Sequence, residues 1–216
     1  MKTMERAGLL LRMGRHLPLP RPPVQRDRVE GMGGLSRAEL AGRLVELSGH
    51  GDTAVLTHAF SVVLDAQREG ETVAWITRRE RPFYPPDVVE MGVDLSAVAV
   101  VRCPDGRTVA SAADRLARSG AFGLLVLDLG EEGEVPSALL TRLAGLAHRH
   151  DIAILFLTEK PEDAPSVGPI VSLRGSSRRL GMVDGRFVCR FRAVKDKQRG
   201  PGWAREELYH GPPGLC

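Results

Sequence analysis

At 216 residues with 43% hydrophobic side chains, the chain is long enough to bury one sizeable core, most simply as a single domain with tails, and with aromatics at 5% that core must be built mainly of Leu, Val, Ile and Ala. Its three cysteines, Cys103, Cys189 and Cys216, are odd in number and show no CxxC spacing, which argues against a disulfide framework or zinc site and suits a reducing compartment such as the cytosol. The net charge of +3 is unevenly spread: residues 1–30 hold seven basic against three acidic side chains, residues 31–173 thirteen against twenty, and residues 174–205 ten against two. This is an acidic body with two basic ends, which could attract nucleic acid or an acidic protein surface, although a solvated basic segment is the commoner meaning of such a cluster.

In chain order, residues 4–13 read as a short helix. Their apolar run AGLLL is too short for a signal-peptide core, and no run approaches the length that spans a bilayer. RHLPLPRPPVQRDR (15–28) has four prolines and reads as an extended linker, so residues 1–30 form a basic, Pro-rich extension. From Gly31 the pattern alternates. RLVELS (43–48), TVAWIT (72–77), AVAVVR (97–102), GLLVLDL (123–129) and IAILFL (152–157) are nearly continuous apolar runs, as in parallel strands buried on both faces. Helical patterns occupy 53–69, 85–91, 108–118 and 136–150, which implies βαβ units and a three-layer α/β domain with a mainly parallel sheet. After Leu157, PIVSLRG, RRLGMVDG and RFVCRFRAV are shorter and partly alternating, the pattern of antiparallel strands added to one edge. Asp184-Gly185 is a hairpin-turn signal. GPGW and HGPPGLC read as an irregular tail, with residues 210–216 flexible and the main domain spanning 31–209.

GRLVELSG, DAQREGETVAW, MGVDL, ADRLARSGAFGLLVLD and FRAVKDK, in this order, resemble RecA-type recombinases over residues 31–209. Within that superfamily, AWITRRERPFYPPDVVEMGVDL, with its Tyr-Pro-Pro after the second strand, is similar to the ImuA-type proteins of bacterial damage-induced mutagenesis cassettes. The resemblance implies a RecA-like fold and, for the ImuA type, a non-enzymatic role in translesion synthesis, touching the RecA recombinase and an error-prone polymerase partner.

GHGDTAVL (49–56) stands where a recombinase carries its phosphate-binding loop, GxxxxGK followed by Ser or Thr. There, backbone amides wrap the phosphates, the lysine neutralises them and the hydroxyl holds magnesium. Gly49 is kept, but Ala54, Val55 and Leu56 replace the last three positions, and Asp52 is expected to repel a phosphate from inside the loop. The expectation is a degenerate pocket with no cofactor, no metal and no ATP hydrolysis. The resemblance also matches Asp128 to the aspartate that supports magnesium and Glu80 to the glutamate that activates water. The preferred reading of both is structural, a strand-end carboxylate and a solvated loop residue, because neither has a metal or lysine to act on. His50 and His58 match no metal spacing and read as exposed or helix-packed, and Ser48, Thr53 and Thr57 as loop and cap residues.

The two loops that contact single-stranded DNA in recombinases correspond to GEEGEVPS and TEKPEDAPSVG, both short and acidic. DNA binding is therefore expected to be weak or absent, and to use the basic ends if it occurs. Lys195 and Lys197 in VKDK match two lysines that recombinase subunits extend toward a neighbour's ATP. With Arg190, Arg192 and Arg199 they form a candidate partner-binding face, set against the plain reading of solvated strand-end charges. Three functions stay open: the non-catalytic regulator, a nucleotide-dependent single-stranded-DNA-binding protein, and a cell-division inhibitor of the damage response, the second disfavoured by Val55 and the acidic loops.

Overall fold

The computed structural model describes residues 35–81, 91–131 and 134–210. The predicted N-terminal helix, the Pro-rich linker, the Tyr-Pro-Pro motif and nearly all of the predicted helix 85–91 lie outside these residues.

A short helix α1 (Arg37–Leu40), closed by a Ser36/Glu39 capping box, leads into β1 (Leu44–Ser48). Then come α2 (Val55–Arg68), β2 (Val73–Arg78), a 3-10 turn (Leu95–Ala97), β3 (Val98–Cys103), α3 (Gly106–Ser119), β4 (Leu124–Gly130), α4 (Ser137–His150) and β5 (Ala153–Thr158). The chain closes with β6 (Leu173–Val183), β7 (Arg186–Asp196) and β8 (Ala204–His210). All eight strands form one sheet in the order β3-β2-β4-β5-β1-β6-β7-β8. Pairs from β3 to β6 are parallel, and β6-β7 and β7-β8 are antiparallel. The expected architecture holds, a mainly parallel sheet with an antiparallel C-terminal edge.

The central strands β1, β2, β4 and β5 are buried and largely apolar because both faces are covered. Leu124 and Val126 of β4 join the core on the α2 side, with Phe60 stacked on Trp75 at 4.7 Å, while Leu125 and Leu127 pack on the α3 and α4 side. The five predicted parallel strands each occur, shifted by about one residue, as expected where boundaries depend on capping rather than pattern. Helix α2 starts at Val55 rather than Thr53, because Thr53 bridges to Arg178 and its hydroxyl accepts from the Val55 N–H at 3.2 Å.

Two expectations at the C-terminal edge need correction. The predicted segments PIVSLRG and RRLGMVDG are not separate strands: β6 runs unbroken through 173–183, its register shifts absorbed at Arg174/Gly175 and Arg179/Gly181. No strand was expected between GPGW and HGPPGLC, yet Ala204–His210 form β8, a polar edge strand held by backbone pairing to β7, with Tyr209 as its one buried side chain. The hairpin turn is where the sequence placed it, with Asp184 and Gly185 at φ 51° and 71°.

Candidate functional site: a cleft at the strand ends

Ligands of open parallel sheets bind outside the carboxyl ends of the strands. At that end, the β1-α2 loop and the ends of β2, β4 and β5 enclose a cleft of about 550 Å³, including its part open to solvent. Gly49, Val55, Leu56 and Asp128 line it, as do His50, Gly51 and Thr53. Asp52, Ala54 and Glu80 do not. Asp52 lies on the outside of the loop, 3.6 Å from Arg179 of β6, so its charge does not act from within the cradle. Ala54 packs against Cys189 and Tyr209. Glu80 is exposed on the turn after β2.

The loop is closed by its own atoms. The Thr53 side chain fills the space beside Gly49, where any Cβ would collide with its hydroxyl. That hydroxyl donates to the Ser177 carbonyl at 3.3 Å. The amides of Thr53 and Ala54 donate to the carbonyls of Gly51 and Ser177 at 2.8 and 3.2 Å, and that of Val55 to Thr53. The Thr53, Ala54 and Val55 amides, donors that a phosphate loop would turn on its ligand, are thus already satisfied by protein acceptors. Val55 is buried, and Leu56, 54% exposed, lays an apolar surface at the cleft mouth.

On the other side lies a group the sequence did not single out. Arg81, just past β2, donates from Nε to Asp128 Oδ1 at 3.1 Å and from Nη2 to Glu159 Oε1. Thr77 Oγ1 donates to the second Asp128 oxygen at 3.4 Å. Burial pushes the Asp128 carboxyl above its ordinary range even with Arg81 beside it. Burial also opposes the Arg81 charge, but the Glu159 hydrogen bond and the charge of Asp128 outweigh it and raise the guanidinium. Asp128 therefore has a cationic partner after all, and it is this chain's own. The residues present do not fit a magnesium nucleotide: the loop lacks its lysine and hydroxyl, the amides of Thr53, Ala54 and Val55 are taken, and the metal-side carboxylate is committed to Arg81. Among the described residues, no group of three or more His, Cys, Asp or Glu is placed to hold a metal ion.

The loop after β5, the counterpart of a DNA-contacting loop, is fastened down. Glu46, fully buried in β1, accepts from Thr158 Oγ1 (3.0 Å), Ser166 Oγ (2.7 Å) and the Val167 amide (3.0 Å). Arg174 of β6 approaches Glu46 at 3.8 Å and donates to the carbonyls of Pro161 and Ala164. A lone glutamate inside an apolar strand is the signal that could have revealed this network, since a buried charge needs a partner. Nothing in RRER marks Arg81 apart from Arg78 and Arg79.

The structure divides the candidate partner face: Lys195 pairs with Arg174 near the start of β6, with Lys197 just beyond, toward the opposite end of the strands, whereas Arg192 and Arg190 pair with Ser176 and Arg178, at and past the carboxyl end of β1. Lys195 Nζ donates to the Pro169 carbonyl at 3.0 Å, and burial together with the Lys197 charge lowers its ammonium. Lys197 is exposed. Arg190 pairs with Glu206, Arg192 with Glu162, and Arg199 lies over the Trp203 ring at 4.5 Å. Of the histidines, His50 is exposed at the cleft and His58 is buried.

Comparison with known proteins agrees with this architecture. Residues 21–145 match the RecA N-terminal domain family model. Protein RecA of Rhodospirillum rubrum is 30% identical over 208 residues, covering 82% of this chain and 52% of its own length. Protein RecA of Gluconacetobacter polyoxogenes is 26% identical over 251 residues (93% of this chain, 69% of its own), and that of Fusobacterium nucleatum 25% over 194 (78% and 50%). The chain thus spans about half the length of two of these three relatives. With the family model matched over more than half its residues, on a sheet of RecA-like order, this chain belongs to the RecA family.

Proposed function

We propose that this protein is a non-catalytic RecA-like accessory factor of SOS mutagenesis, of the ImuA type. In this reading it docks on the RecA recombinase, limits its filament, and bridges to an error-prone polymerase complex in translesion synthesis. One observation carries it: a RecA-family domain has Lys195 and Lys197 at one end of its strands while in the cleft at the other end its own Arg81 is bound to Asp128. A head-to-tail filament grows only if both faces of each subunit work. A subunit that offers the lysine face but no nucleotide at the other would cap the filament. The fastened, acidic loop after β5 further supports a protein-directed rather than DNA-directed role.

The test is filament assembly and strand exchange by the partner recombinase with this protein at substoichiometric amounts. Wild type is expected to inhibit, and a Lys195→Ala/Lys197→Ala double variant to lose most of that inhibition. Inhibition unchanged in the double variant would eliminate capping through the lysine face.

A further inference from the structure

Arg81 does more than pair with one acid. Its guanidinium reaches Asp128 at the end of β4 and Glu159 just after β5, while its own backbone follows β2. The Nη1 end lies against Gly130, where φ is +62° and an added Cβ would collide with the guanidinium. One planar, permanently charged fork thus ties three neighbouring strand ends, and Gly130 leaves the room for it. Asp128 is 9% exposed, so its charge cannot be left to water. Two carboxylates within reach of a single guanidinium would, without it, face each other across a small space, an arrangement that a hard divalent cation satisfies with carboxylate oxygens and retained waters.

We propose that Arg81 is the resident cation of this cleft: its guanidinium occupies the place between Asp128 and Glu159 that a divalent metal ion would take, and so closes the cleft to metal. The inference rests on the cleft geometry and not on the accessory role proposed above, so either can fail without the other. It also gives a reason why restoring the loop residues alone would not restore a metal-dependent site.

The experiment is a Mn²⁺ titration of the full chain, followed by the loss of the free-ion electron paramagnetic resonance signal, on wild type, Arg81→Ala and Arg81→Ala/Glu159→Gln. Wild type is expected to show no saturable binding. Arg81→Ala should take up one Mn²⁺ at least about tenfold more tightly, and regain with the metal thermal stability it lost without it, as ligand linkage requires. The double variant should return to the wild-type curve. Arg81→Gln, which keeps a polar side chain of similar reach, replaces the alanine variant if that one does not fold. Saturable Mn²⁺ binding by wild type equal to that of the Arg81 variant, no gain in the variant, or a gain that survives Glu159→Gln would each overturn the proposal.

Discussion

His58 faces inward from α2, edge-on to Phe191 and Tyr209 with ring centroids at 6.2 and 6.1 Å, and its Nδ1 has no hydrogen-bond partner. Burial lowers its pKa from 6.5 to about 4. The folded protein therefore holds a neutral imidazole, while the unfolded chain takes up a proton near 6.5. Stability from this residue is complete above pH 6.5 and falls as pH drops toward 4, by up to about 3 kcal/mol. Chemical denaturation of wild type at pH 7.5 and 5 should show this loss. His58→Leu, which removes an unpaired polar atom, should flatten the dependence between these pH values and cost little at pH 7.5. An unchanged pH slope in His58→Leu would exclude His58 as its source. At this scale the sequence was half legible. Ala54, Val55 and Leu56 show by type alone that the loop lacks the lysine and hydroxyl of a phosphate loop, whereas Asp52 was misjudged in direction, because the Arg179 that draws it outward lies on a strand far along the chain.

Among the elements, the loop between β5 and β6 depends most on one strand residue. Glu46 and Arg174 are 0% and 4% exposed in their side chains, and between them they hold Pro161, Ala164, Ser166 and Val167. Glu46→Ala would leave the Arg174 charge buried without a counter-ion and is expected to destabilise the domain by about 3–5 kcal/mol. Glu46→Gln should cost less, since its one amide oxygen keeps an acceptor for the Ser166 hydroxyl and the Val167 amide. Urea unfolding tests this, with limited cleavage by a glutamyl endopeptidase after Glu162 rising in Glu46→Ala as the loop is released. A Glu46→Ala variant within about 1 kcal/mol of wild type, where an ordinary surface substitution falls, would contradict the clamp. The parallel strands were readable because burial on both faces leaves unbroken apolar runs. β8 was not, because an edge strand stabilised by backbone pairing carries no apolar alternation.

At the scale of the whole fold, much of the basic charge of the described C-terminal stretch is paired in space with acids from elsewhere in the fold. Arg174, Arg179, Arg190, Arg192 and Arg205 of the basic C-terminal stretch meet Glu46, Asp52, Glu206, Glu162 and Glu39. A composition count cannot foresee this, since the partners are distant in sequence. The fold class was legible from element order. The guanidinium that pairs with Asp128 and Glu159 in the cleft was legible only in three dimensions. No described helix is long and apolar enough to cross a membrane.

The central claim is that a RecA-family domain here retains the sheet and has lost the nucleotide chemistry. Titration calorimetry of the full chain with ATP and magnesium tests it most directly, with Val55→Lys alongside. Neither protein is expected to bind saturably at micromolar nucleotide, because Ala54, Leu56 and Arg81 remain in the variant and no single lysine replaces the lost cradle. Micromolar binding by wild type, or magnesium-dependent turnover above a heat-inactivated control, would contradict it.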